Sequence, residues 1–184
     1  MIRTVFAAIA LVAAPAFAAP ATWAVQQGQS QVGFTGAHAG NKFTGQFGQW
    51  TAQIRFDPAD LAHSAANVTI GTASAKTGDK FQESSLQEGE WFDPAHFPRA
   101  TYVTKTITAA GPGRYVADGV LTLKGKALPV KLPFTLKIAG KTATMAGQTS
   151  IDRIAFGIGA KSDASGGWVT RQIGLTINLV AQRQ

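Results

Sequence analysis

The chain has 184 residues, a formal net charge of +7 from 17 Lys and Arg against 10 Asp and Glu, and no cysteine. A single domain of this length closes an apolar core without staples, and 45% hydrophobic against 15% charged residues excludes wholesale disorder. The lack of cysteine removes disulfides, thiolate nucleophiles and Cys-ligated zinc together, and 20 glycines argue against a long helical bundle.

Residues 1–18 read as a secretory leader. Arg3 supplies the positive start, Thr4 to Pro15 an apolar run, and Ala16-Phe17-Ala18 a small-x-small cleavage site. Cleavage after Ala18 leaves residues 19–184 as one exported domain, with a net charge of +6 once Arg3 is gone. The compartment expected is the periplasm.

The mature chain is dominated by period two, the mark of strands with one dry and one wet face. Alternation runs through Trp50-Ala52-Ile54-Phe56, Val68-Ile70-Thr72 and Tyr115 to Leu123. It is strongest where Val130, Leu132, Phe134, Leu136 and Ile138 alternate with Lys131, Pro133, Thr135 and Lys137, and again from Val169 to Ala181. Glycine-rich turns at 111–113, 124–126, 140–141 and 165–167 separate these runs. Roughly eight strands in a closing meander are expected. Two segments read as helix instead. Asp57-Pro58 opens a short one running toward Leu61, and Asp79 to Gln82 has the spacing of a capping box, with the helix continuing to about Glu88. Phe81, Leu86, Trp91 and Phe92 give that second segment an apolar side, suited to covering one mouth of a barrel or to ordinary core packing.

Catalytic patterns are missing. There is no G-x-S-x-G elbow, no Walker A loop and no G-x-G-x-x-G, and His38, His63 and His96 are too scattered for a metal motif. Glu88, Glu90 and Asp93 form an acid cluster without an evident partner. No catalytic residue, metal site or cofactor is assigned. Five lysines between Lys124 and Lys141 suggest either a solubilising, edge-protecting face or attraction to an anionic surface. Nucleic acid is not an expected partner of an exported chain without an aromatic-basic motif.

Particular residues carry a more specific signal. Trp23-Ala24-Val25 with Val32-x-Phe34 and His38, Gly45-x-Phe47 with Ile54-x-Phe56-Asp57, and Thr77-Gly78 with Leu86, Trp91-Phe92-Asp93 and Phe97-Pro98 resemble successive blocks of the YceI-like family. Gly119-x-Leu121-Thr122-Leu123-x-Gly125, Pro129-Val130 and Arg153-x-x-Phe156-Gly157 continue the resemblance to residue 182. It implies an all-β, extended, antiparallel eight-stranded lipocalin-like barrel with one or two short helices, non-enzymatic and commonly periplasmic. The barrel would hold a long isoprenoid chain, a prenyl phosphate or quinone tail, in its lumen for sequestration, storage or transport. Related domains beside b-type cytochromes make a quinone-redox or membrane-surface partner a further expectation, for a monomer or dimer. The chain departs from the family's polar pattern at Gln26, Gln29, Gln82, Ser85 and Ala155, which puts the head-group preference in question, while Arg153 and His38 match.

On this reading the wall residues are Phe34, Ile70, Leu121, Leu123, Phe134, Leu136, Phe156, Ile173 and Leu175, with Phe81, Leu86, Trp91 and Phe92 at the covering helix. Each also serves as plain core, because parity identifies an apolar face without saying what it touches. The rival is a basic interaction module that docks on a membrane enzyme or anionic surface and carries no cargo. A third reading is a hydrolase using His38 or the acid cluster.

Overall fold

The computed structural model describes residues 19–184, so the expected leader lies outside the described residues. Eleven strand segments form one antiparallel sheet: β1 (Thr22–Val25), β2 (Gln31–His38), β3 (Asn41–Phe47), β4 (Trp50–Arg55), β5 (Ala65–Gly71), β6 (Ala75–Lys76), β7 (Arg99–Ala109), β8 (Arg114–Leu123), β9 (Lys126–Ala139), β10 (Thr142–Asp152) and β11 (Gln172–Arg183). One α-helix, α1 (Lys80–Leu86), lies between β6 and β7.

The spatial order β1-β4-β5-β7-β8-β9-β10-β11 closes into a ring because β1 also pairs β11, with Trp23 opposite Arg183 and Val25 opposite Ala181. β2 runs on along the same edge of β11, with Phe34 opposite Leu175, and β3 and β6 follow it. The segment pairs β1/β2, β3/β4 and β5/β6 are therefore bent halves of single passages. Counted by passage, the barrel has the eight strands expected, in an antiparallel meander.

Local sequence explains most of the bends. Lys124 and Gly125 both have positive φ, 49° and 73°, as a two-residue hairpin turn requires, and they join β8 to β9. Gly45 faces Phe34 across β2–β3, and a Cβ there would collide with the Phe34 ring, so glycine lets that ring lie flat over the neighbouring strand. In β7 a bulge between Thr104 and Thr106 shifts the register, so Ala100, Tyr102 and Thr104 face inward before it and Ile107 after it.

The helical expectations are corrected in detail. Asp57-Pro58 does not start a helix: the Asp57 carboxylate accepts the Ala59 amide in a turn, and a 3₁₀ turn follows at Leu61–His63, capped by Asp60. In α1, Asp79 caps the amides of Phe81 and Gln82, but the reciprocal acceptor is Glu83, not Gln82; it takes the Thr77 and Gly78 amides at 3.0 Å each. The helix ends at Leu86 and passes into turns. The last strand begins at Gln172 rather than Val169. Val169 instead forms an isolated bridge with His38, and Arg171 is held outward by Asp152.

Phe156 is the one expected wall residue that the fold places elsewhere. β10 pairs β9 only from Gly147–Phe134 to Thr142–Ala139, so toward the turn at Lys124–Gly125 the two strands part. Pro129 and Pro133 occupy the unpaired stretch of β9, where a missing amide costs no bond to β10. Phe156, 2% exposed, borders the cleft left between residues 128–131 and 149–152 and plugs this seam as part of the main core. Phe156→Ala is expected to lower stability by about 3–5 kcal/mol, as for other buried phenylalanines, read as a shifted urea midpoint with an unchanged slope.

Candidate functional site

Inward-facing side chains leave an elongated cavity of about 590 Å³ through the ring. Ile173 and Ala181 of β11 both border it, so its walls extend at least eight residues along the strand, about 26 Å at the rise of an antiparallel strand. At the closed base, Phe56, Tyr115 and Phe134 pack with ring centroids 5.2–6.5 Å apart, and the Trp23 indole donates to the Phe56 carbonyl at 3.0 Å. At the opposite mouth lie α1, the β2–β3 hairpin and the loop of residues 153–171.

The cavity collects Phe34, Ile70, Phe81, Leu86, Trp91, Phe92, Leu121, Leu123, Phe134, Leu136, Ile173 and Leu175 from the expected wall. Phe156 is not among its lining residues. Several other liners carried a signal that parity alone exposes: Ala52, Ile54 and Phe56 on one alternating run, Val130 and Leu132 on another. Ala143, Met145, Thr149 and Ile151 of β10 did not stand out, because alanine, threonine and glycine share its inward face. Phe81 and Trp168, 77% and 65% exposed, flank the mouth.

The lining is almost entirely apolar, and the charges at its mouth, Arg153 and Asp163, are tied to each other. Arg153, 2% exposed, stacks over Trp91 at 5.5 Å and donates to the carbonyls of Thr170, Ile158, Val169 and Asp163 and to the Asp163 carboxylate at 2.5 Å. Burial alone raises the Asp163 carboxyl, but hydrogen bonds from the Val169 and Trp168 amides and the charge of Arg153 outweigh it and hold the group below the usual aspartate range. Arg153 thus gathers the 153–171 loop around one buried cation. Within the wall, burial pushes the Tyr102 hydroxyl up to about 12, with Asp118 adding to the effect; it donates toward the Ala117 and Val130 carbonyls.

Two members of the acid cluster, Glu90 and Asp93, are bonded within the fold. Glu90 accepts the Lys161 and Ser162 amides at 2.7 and 2.9 Å and the Ser162 hydroxyl at 3.2 Å, tying the segment after α1 to the 153–171 loop. Lys124 reinforces the join by donating to the Glu90 and Gly157 carbonyls. Asp93 pairs with the imidazole of His96 at 2.8 Å. His38 stacks on Trp168, with centroids 5.8 Å apart. The lysines expected as one basic face are dispersed: Lys124 and Lys126 lie at the mouth end, Lys137 and Lys141 toward the base, and Lys131 pairs with Asp118. β9, moreover, is paired on both sides over part of its length rather than being a free edge.

The Ser162 amide bond leads the effects that lower the Glu90 pKa, so the clamp's contribution is complete above the usual glutamate value of 4.5 and is lost as pH falls below it. The hydrogen-exchange protection factors of the Lys161 and Ser162 amides, corrected for the intrinsic rate at each pH, are expected to fall on acidification through that range. In Glu90→Ala the same amides are expected to exchange rapidly even at neutral pH.

Comparison with known proteins agrees with this architecture. The YceI-like domain matches residues 23–181. A UPF0312 protein of Vibrio campbellii is 25% identical over 143 residues, spanning 74% of this chain and 76% of the relative. The crystal structure of BcnA from Burkholderia cenocepacia superposes with a TM-score of 0.81 at 34% identity, covering 85% of this chain and 98% of that one. A polyisoprenoid-binding domain from Saccharophagus degradans, implicated in plant cell wall breakdown, shares the fold with a TM-score of 0.65 at 14% identity, covering 90% and 99%. With the domain match running from the first strand to the last, the chain belongs to the YceI-like family.

Proposed function

We propose that this protein is exported to the periplasm after removal of residues 1–18 and that it binds rather than transforms its ligand, holding one long isoprenoid chain in the barrel for sequestration, storage or transport. The observation that carries this reading is the continuous apolar cavity walled along some eight residues of β11 and closed by aromatics at its base. A five-carbon isoprene unit buried there contributes roughly 3 kcal/mol gross, so a handful of units offsets the cost of ordering a flexible chain. A slim hydrocarbon suits such a lumen better than a bulky ring system. The polyisoprenoid-binding neighbour from Saccharophagus degradans supports the same ligand class. Docking through a basic face without cargo has less support, since Lys131 and Lys124 are already engaged.

Native mass spectrometry of the protein purified from its own host, with lipid extraction, is expected to reveal a bound isoprenoid. Val68 lines the mid-wall. Val68→Trp is expected to weaken retention of the chain about a hundredfold, since excluding one isoprene unit forfeits roughly 3 kcal/mol, while far-ultraviolet circular dichroism is unchanged. A wild-type barrel that carries no lipid and fails to retain added prenyl lipids would refute the reading.

A further inference from the structure

We propose that the closed base of the barrel is a docking surface for the anionic headgroups of a lipid bilayer, so that the protein sits base-down with its mouth facing away from the membrane. This surface is separate from the lumen and stands whether or not cargo is held. It is assembled from five cations: Arg55 of β4, Arg114 of β8, Lys137 of β9, Lys141 in the β9–β10 turn and Arg183 of β11. The wall order β4-β1-β11-β10-β9-β8 makes them one continuous arc. The Arg183 amide donates to the Lys141 carbonyl at 2.8 Å, Arg183 stands opposite Trp23, and Thr22, next along β1, stands opposite Arg55. On the other side of the turn, the Leu136 amide donates to the Gly113 carbonyl at 2.8 Å, which brings the chain at Arg114 against the chain at Lys137.

All five are exposed, and among the described residues none forms an ion pair. Arg183 lies over the Trp23 ring at 5.6 Å, which holds its side chain in place and leaves its charge unneutralised. The acidic side chains at this end are Asp57 and Asp60, already bonded to the Ala59 amide and to His63. The mouth is the opposite case. Seven of the ten acidic residues stand there, five within residues 79–93 together with Asp152 and Asp163, and ion pairs consume Lys76, Arg153 and Arg171. Unbalanced cations at the base repel one another in water, and an anionic partner relieves that repulsion. An apolar residue among them favours a bilayer as that partner. Ile138 has the inward parity of Leu136, but Leu136 is the last residue of β9 to line the cavity, so Ile138 projects past the end of the lumen and is 36% exposed. Between Lys137 and Lys141 it can enter the interfacial layer while the two lysines reach lipid phosphates. An acidic protein or a nucleic acid offers the charge without that layer.

The test is cosedimentation of the protein, purified from its own host, with vesicles of phosphatidylglycerol mixed equally with phosphatidylcholine, against phosphatidylcholine alone. Binding is expected to the anionic vesicles and to fall steeply as salt is raised. Each basic residue close to an anionic surface strengthens binding about fivefold, so Lys137→Gln combined with Lys141→Gln is expected to weaken it about twentyfold to thirtyfold. Lys80→Gln combined with Lys161→Gln removes the same charge from the mouth and is expected to change binding less than about twofold, because the two ends lie well beyond the screening length. Ile138→Ser is expected to weaken binding about threefold to tenfold at constant charge. Retention of added prenyl lipid in vesicle-free solution is expected to be unchanged in the Lys137–Lys141 variant, which separates docking from the isoprenoid reading. Indifference to phosphatidylglycerol, full binding by the Lys137–Lys141 variant, or an equal loss from the mouth variant overturns the base-down assignment and leaves tail binding standing. An Ile138→Ser variant that binds as well as the wild type overturns the bilayer as the partner.

Discussion

Apolar side chains facing one another across a sheet ordinarily meet and exclude the space between them. Here a closed ring of backbone hydrogen bonds holds them apart. β11 is paired with β10 along eleven residues on one side and with β1 and β2 on the other, so the wall cannot flatten without breaking a ladder. The inward positions include small residues, Ala52, Ala66, Ala100, Ala117 and Ala143, that do not reach the opposite wall. The lumen is a consequence of closure and of side-chain size together. An apolar thread that enters it gains burial that the protein cannot supply to itself.

Closure leaves two ends to be treated differently. The base is sealed by Tyr115 stacked on Phe134, by Phe56 set edge-on to both, and by Trp23 anchored to Phe56, contacts that need no charge. The mouth is assembled from loops, whose backbone amides and carbonyls need partners once buried. Arg153 and Asp163 meet that need inside the long loop, while Glu90 and Lys124 bind the loop to the segment after α1. A buried ion pair is costly to desolvate, and its return here is the fixed shape of a loop with little regular structure. The same accounting explains why the conspicuous charged residues near the mouth serve shape, leaving uncharged groups on α1 facing the lumen.

The wall was legible in sequence wherever period two was unbroken and large side chains marked the inner face, as on β9 and β11. β7 escaped that pattern because its bulge moves the inward set from Tyr102 and Thr104 to Ile107. β10 escaped because Ala143, Gly147 and Thr149 carry inward positions with little hydrophobic contrast. Phe156 misled for the opposite reason. It is as apolar as any wall residue, but it lies in a loop that folds back over the parted strands β9 and β10, and only a missing stretch of pairing reveals that seam.

The order of residues by itself determined the strand faces, the glycine turns, the cap at Asp79 and the family blocks, because each depends on neighbours a few positions apart. Tertiary structure alone decided that β1 meets β11, that the lysines scatter, and that Arg153 and Glu90 are occupied by loop backbone. Those outcomes join residues tens of positions apart, and their energies depend on distance and burial that no local pattern encodes. The presence of a lumen belongs to the same class, since the ring must close before there is an inside.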